Sequence, residues 1–277
     1  VAEGDTVKIA FWKMHGAAND FVLVDDRKLA FPAADKQWMA SIAARRTGIG
    51  CEGVILIQPS DKASFRMRFF NPDGSEVEMC GNGARCVARL AHEIGAAPAQ
   101  MTIDTVAGIL SAEAFGDEVR LFMTPPRDWR MNRTLTLDGK TVAYGFVNSG
   151  VPHAVVEPPD LAACDVQKMG SGIRYHADFA PRGTNANFIK VTGPQSLMIR
   201  TYERGVEGET LACGTGIVAS ALVAARDGKV RAPVSVTAAS GDTLTVDFKL
   251  AGDIATDVTL LGPAAHVFQG TVDYPKM

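Results

Sequence analysis

One cassette occurs twice in this chain. Met79-Cys80-Gly81-Asn82-Gly83 and Ala212-Cys213-Gly214-Thr215-Gly216 place their cysteines 133 positions apart, about half of the 277 residues. The same offset separates Gly50 from Gly183, Gly95 from Gly228 and Gly108 from Gly241. Turn-forming glycines that hold register across three junctions imply two copies of one supersecondary plan. A chain built this way folds as a pair of similar domains, each long enough for its own core. We expect residues 1–125 as the first, carrying Cys80, and 126–263 as the second, carrying Cys213, with segment 264–277 able to return to the first.

Each copy reads in the same order. Strand-like Ile9–Trp12, a polar loop Met14–Asp20 and strand-like Phe21–Val24 open the first copy. Tyr144–Val147, the loop Asn148–His153 and Ala154–Val156 answer them in the second. A helical period runs from Asp35 to Thr47. Strands Val54–Ile57 and Arg66–Phe70 lead to the first cassette, as Asn187–Val191 and Leu197–Tyr202 lead to the second. After Cys80, the spacing of Ala84, Val87, Leu90, Ala91 and Ile94 predicts a helix stopped at Gly95. After Cys213, Ile217–Ala225 is apolar on nearly every side, which predicts a buried helix. Three strand-like runs then close each copy: Met101–Val106, Ile109–Ala114 and Val119–Met123, against Val234–Ala238, Thr243–Phe248 and Val258–Leu261. The expected fold is α/β (α+β), two pseudo-symmetric domains, each a curved and mainly antiparallel sheet wrapped around a central helix. Pro125–Gly139 reads as the connection between them.

Composition removes several classes of function. A net charge of −3 without a basic tract argues against nucleic acid. No apolar run reaches the roughly 18 residues of a membrane span, and Val1–Lys8 has no secretory pattern. The five cysteines are odd in number and none stands in Cys-x-x-Cys spacing. That argues against a disulfide framework and a structural zinc site, and it favours a reducing cytoplasm. No metal ligand set is expected.

A cysteine just ahead of a glycine-rich helix start sits in the field of unpaired N–H groups and the helix dipole, both of which favour an anion. Such a thiol ionises more readily than an isolated one. A carboxylate can be received by the same N–H groups. Two such thiols on opposite sides of one carbon form an acid–base pair that inverts configuration, one removing a proton and the other returning one. No cofactor is needed if the bound carboxylate is held well enough to carry the developing charge. Cys51, Cys86 and Cys164 lack this setting and read as buried hydrophobes. Arg85 and Arg89, a turn apart, read as a solvated helix face, and His15 as a loop residue bonded to its own backbone.

Together, Met14–Phe21 (MHGAANDF), Phe70–Cys86 (FNPDGSEVEMCGNGARC), Gly183–Phe188 (GTNANF), Tyr202–Gly216 (YERGVEGETLACGTG) and Gly262–Gly270 (GPAAHVFQG) resemble the diaminopimelate epimerase family over nearly the whole chain. The resemblance implies an isomerase that interconverts LL- and meso-2,6-diaminopimelate without cofactor, in lysine and peptidoglycan precursor biosynthesis. It implies two similar α/β domains closing on a small amino-acid substrate at their interface, and it suggests a homodimer. Position by position, Cys80 and Cys213 match the catalytic thiols. Asn19, Asn71, Asn185, Glu203 and Arg204 match residues that hold the substrate. Gly81, Asn82, Gly214 and Thr215 match positions that receive the reacting carboxylate. His153 and Glu203 match polar residues that assist the thiols.

Two departures concern substrate detail: Val151 stands where many members have Asn, and Gly50-Cys51-Glu52-Gly53 differs from forms with Asp or Gln. Three other readings share parts of the pattern. A proline or hydroxyproline racemase leaves Arg204 and the asparagines unexplained, and the phenazine-type isomerase of this fold lacks the cysteines. A non-catalytic amino-acid binding protein would bind ligand without proton exchange.

Overall fold

The computed structural model describes residues 6–252 and 254–275. The expectation of no secretory pattern at Val1–Lys8 falls mostly outside that range. Packing divides the chain into two compact units, Val1–Leu121 with Pro263–Met277, and Phe122–Gly262.

The first unit runs β1 (Thr6–Gly16), β2 (Asn19–Asp25), α1 (Lys36–Ala43), β3 (Gly53–Gln58), β4 (Phe65–Phe70), β5 (Glu76–Val77), α2 (Gly81–Glu93), β6 (Gln100–Thr105), β7 (Gly108–Phe115) and β8 (Glu118–Phe122). Here β1–β2, β3–β4, β4–β5 and β6–β7 are antiparallel, and β2–β3 and β4–β6 are parallel. The second unit opens with β9 (Arg127–Leu137) and then repeats the plan. It continues with β10 (Lys140–Asn148), β11 (Pro152–Val156), α3 (Val166–Arg174), β12 (Asn185–Gly193), β13 (Ser196–Glu203), β14 (Gly208–Thr210), α4 (Gly214–Arg226), β15 (Val234–Thr237), β16 (Thr243–Ala251) and β17 (Ile254–Pro263). Its pairings match those of the first unit in order and sense. A last strand, β18 (Ala265–Pro275), lies antiparallel on β1 as β9 lies on β10.

Each sheet is covered by one buried helix. Ala84, Cys86, Val87, Ala88, Leu90 and Ala91 of α2 are buried, and every residue of α4 from Ile217 to Ala224 is buried. Gly83 and Gly216 are what let the helix starts press onto the strands beneath. A Cβ at Gly83 would stand 2.7 Å from Ile55 Cδ1, and one at Gly216 would collide with Asn187 Oδ1. The other face of each sheet carries α1 or α3. Phe11, Val22, Met39 and Leu56 pack there in the first unit, and Phe146, Val166, Phe179 and Phe188 in the second.

Three local expectations fail for physical reasons. The segment Met14–Asp20 is not an open loop, because β1 continues to Gly16 and a two-residue turn at Ala17-Ala18 starts β2 at Asn19. Both alanines have positive φ, 55° and 61°, which suits the right-handed twist of a hairpin but lacks the usual Asn-Gly signal. The helix expected to Thr47 stops at Ala43, because Arg45 leaves the helical path to pair with Asp20 at 2.7 Å. Asp35 caps its start by accepting from the Trp38 N–H at 2.9 Å. Finally, Pro125–Gly139 is mostly a strand rather than a connection. Bulges at Asp128 and Asn132, both with positive φ, break the alternation in β9 that would have announced it.

Candidate active site

Cys80 and Cys213 occupy the same backbone position in their units. Each is the N-cap residue of its helix in extended conformation, with φ/ψ of −131°/125° for Cys80 and −121°/107° for Cys213. Their carbonyls accept the first helical bonds, from Ala84 at 2.8 Å and Ile217 at 2.9 Å. Each sulfur therefore stands at the positive end of a thirteen-residue helix. Cys213 is buried and Cys80 half-buried. Burial pushes the thiols of Cys51 and Cys164 up and that of Cys86 up to about 12, so the other three cysteines stay protonated near neutral pH.

A matching clip holds the hairpin ahead of each cysteine. Arg68 of β4 grips Glu76 of β5 through two bonds of 2.8 and 2.7 Å. Arg200 of β13 grips Glu209, beside Thr210 on β14, through two of 2.8 Å. The carboxylates four residues before each cysteine are thus committed to structure, and Arg68 holds Glu76 below the ordinary carboxyl range.

In the first unit the structure gathers Cys80, Asn19 and Asn82. The Cys80 sulfur lies 3.6 Å from Asn19 Oδ1, to which Asn82 Nδ2 also donates at 3.4 Å. Asn19 Nδ2 donates to the Glu52 carboxylate, which can only accept, and this fixes which end of the amide faces Cys80. Behind it, Lys13 and Arg45 converge on Asp20. Burial alone would raise that carboxyl, but hydrogen bonds and charge from Arg45 and Lys13 outweigh it and hold it low. Gly81 is the first residue of α2. Asn71 stands apart in the β4–β5 turn, its side chain donating to Ser75 Oγ at 3.3 Å.

Arg85 is not solvated but fully buried. It donates to Asn82 Oδ1 at 3.0 Å and to the Pro263 carbonyl at 3.2 Å. Arg89 donates to the Ala264 carbonyl and, at 2.7 Å, to Glu93. The returning segment at Pro263–Ala264 covers the helix face that sequence spacing assigned to water. His15 behaves as expected, accepting from the Ala18 N–H at 3.3 Å.

In the second unit Thr215 Oγ1 lies 3.7 Å from the Cys213 sulfur and 2.9 Å from His153 Nε2. His153 is fully buried, and burial, joined by the charge of Arg204, pushes its pKa down to about 3. Its Nδ1 is 3.0 Å from Asn187 Nδ2. Gly214 opens α4. A second group gathers around the ends of β12 and β13. Asn185 donates to the Pro152 carbonyl at 2.9 Å and accepts from the Arg204 N–H at 2.8 Å, while Glu203 accepts from Thr210 Oγ1 at 2.9 Å. Asn187 was missed in the sequence. Its signal was there, since Asn185 and Asn187 alternate onto one face at the buried start of β12.

Comparison with known proteins extends these observations. The fold is similar to that of a Bacillus anthracis phenazine biosynthesis protein of the PhzF family, with a TM-score of 0.70 at 16% identity, covering 96% of this chain and 99% of that one. A family model described as diaminopimelate epimerase matches residues 11–129 and 145–265. The chain is 42% identical over 272 residues to the diaminopimelate epimerase of Aquifex aeolicus, covering 94% of this chain and 96% of that one. Over 263 residues it is 43% identical to that of Chlorobaculum tepidum, covering 94% and 99%. A duplicated sheet-and-helix unit whose central helix is capped each time by a cysteine, with such relatives, defines the class as an amino-acid isomerase. Within that class, the chain belongs to the diaminopimelate epimerase family. Among the described residues no helix is long and apolar enough to cross a membrane.

Proposed function

We propose that the protein epimerises 2,6-diaminopimelate between its LL and meso forms by a two-thiol mechanism. The observation that carries this reading is the repeated placement of Cys80 and Cys213 as helix caps, in a chain of this family. One thiolate removes the α-proton and the other thiol returns a proton to the opposite face. The reacting carboxylate is received by the backbone at Gly81, Asn82, Gly214 and Thr215, where helix-start N–H groups stabilise the charge that develops on it. This supplies what a cofactor would otherwise provide.

Asn19, Asn71, Asn185, Glu203 and Arg204 hold the rest of the substrate. A shorter amino acid leaves buried polar groups unpaired and is rejected on that ground. His153 and Glu203 assist the thiols. The family resemblance adds cytoplasmic lysine and peptidoglycan precursor synthesis as the setting, and assembly as a homodimer. The test is proton NMR in deuterated water under reducing conditions. The α-proton signal of diaminopimelate should disappear while that of proline persists. Exchange of neither, by a folded and reduced protein, leaves only a binding role.

A further inference from the structure

We propose that Asn187 is a positioning residue for Cys213, fixing the tautomer of His153 so that the Thr215 hydroxyl proton points at the Cys213 sulfur. The inference deepens the two-thiol reading, but its geometry stands within the second unit alone.

Asn187 Nδ2 lies 3.1 Å from the Ala154 carbonyl, and a backbone carbonyl can only accept. The amide is therefore oriented with its NH2 toward Ala154. The opposite end agrees, with Oδ1 accepting from Thr201 Oγ1 at 3.1 Å. The second Nδ2 hydrogen is directed to His153 Nδ1, 3.0 Å away. A ring nitrogen that accepts carries no proton, so neutral His153 keeps its hydrogen on Nε2.

Neutrality follows from the surroundings. Both His153 and Asn187 are fully buried, and the charged group that bears on the ring is the guanidinium of Arg204, which opposes a second positive charge. Nε2–H then donates to Thr215 Oγ1 at 2.9 Å. Thr215 has one hydroxyl hydrogen. Among the described residues, the other hydrogen-bond partner of its oxygen is the Cys213 sulfur at 3.7 Å. The chain Ala154, Asn187, His153, Thr215, Cys213 therefore has a direction, and it ends by donating to sulfur. A donor there favours the thiolate, as does the α4 N-terminus. Gly216 completes the device, because any side chain there would displace Asn187 Oδ1.

Nitrogen NMR of the full chain labelled with 15N-histidine tests the first link. The His153 signals, assigned by their loss in His153→Gln, should show a protonated Nε2 and a bare Nδ1. A protonated Nδ1 overturns the proposal. Alkylation of the free protein by iodoacetamide across pH, resolved by peptide mass spectrometry, tests the last link. In Asn187→Ala and in Thr215→Val the midpoint for Cys213 should rise by about half to one pH unit while that for Cys80 stays put. Thr215→Ser, which keeps the hydroxyl, should restore the original midpoint. An unmoved Cys213 midpoint, or an equal rise at Cys80, refutes it, and the threonine pair decides the matter if Asn187→Ala does not fold. Because these readouts need no substrate, failed diaminopimelate exchange with intact shifts would sink the two-thiol reading and leave the positioning role standing.

Discussion

The two cysteine regions share a backbone and differ in what was built on it. At the position where the second unit buries His153, the first has Asp20, locked by Lys13 and Arg45; where the second has Asn185, the first has Glu52. The helices differ in the reverse sense. Arg85 is buried in α2, and its counterpart 133 positions on is Val218, buried in an apolar helix. The hydrogen bonding at the sulfurs follows these choices. Cys80 faces an amide oxygen whose orientation is set by Glu52, so an acceptor meets its thiol. Cys213 faces a hydroxyl whose proton is turned toward it. Duplication supplied two equivalent helix starts, and later substitution gave their sulfurs different hydrogen-bonding partners.

The sharpest way to break this comparison is to remove one sulfur at a time. Cys80→Ala and Cys213→Ala should each lower the epimerisation kcat by roughly a thousandfold or more, the scale of a lost acid–base group. Full activity in either variant ends the two-thiol assignment. Arg85→Val, which writes the second unit's residue into the first, should cost about 3 kcal/mol in urea unfolding. It strips a donor from buried Asn82 Oδ1 and from the Pro263 carbonyl. A loss under about 1 kcal/mol would show that the helix tolerates either solution and that the asymmetry is incidental.

His153 offers a comparison through pH. Its folded pKa, near 3, lies below the ordinary 6.5, so the unfolded chain takes up a proton that the folded one refuses. Stability from this group is complete above pH 6.5 and drains away as pH falls toward 3. The slope approaches about 1.4 kcal/mol per pH unit once the unfolded histidine is fully protonated. His153→Gln should remove one proton's worth of that slope between about pH 5.5 and 4, measured by urea unfolding at stepped pH. An identical slope in the variant would mean that His153 titrates normally in the folded protein.

Much of this was legible in the sequence wherever local chemistry and fold agree. Gly95 and Gly228 close α2 and α4 just past their ends with φ of 65° and 72°, and the all-apolar run after Cys213 is the buried helix it promised to be. What escaped depends on partners distant in sequence. Arg45 ends α1 early because of Asp20, and β9 is disguised by bulges and stabilised by cations on rings, Arg130 on Phe146 and Arg226 on Trp129. Arg85 looked solvated because the segment that covers it arrives 178 residues later. Asn187 was hidden for a different reason. The alternation of Asn185 and Asn187 marks a polar face but not its partners, which appear only when the neighbouring strand supplies His153 and the Ala154 carbonyl.

The smallest expected difference lies in the duplicated clips. Arg68–Glu76 and Arg200–Glu209 have near-identical geometry, with side chains about a quarter to a third exposed, so each pair alone is worth about 1 kcal/mol. Arg200 does more, because its guanidinium also donates to the Leu161 and Cys164 carbonyls at 3.0 and 2.9 Å and ties down the segment that enters α3. Arg68 instead lies over the Phe70 ring at 4.8 Å. Arg200→Gln should therefore destabilise by about 1 kcal/mol more than Arg68→Gln, since two carbonyls lose a charged donor. Glu76→Gln should also flatten the acid limb of the stability curve. Its depressed carboxyl contributes above the ordinary value of 4.5, and that contribution is lost as pH falls through the lower folded value. Equal losses for the two arginines in urea would show that the loop carbonyls find water as easily as they find Arg200, and would reduce the two clips to the same structural part used twice.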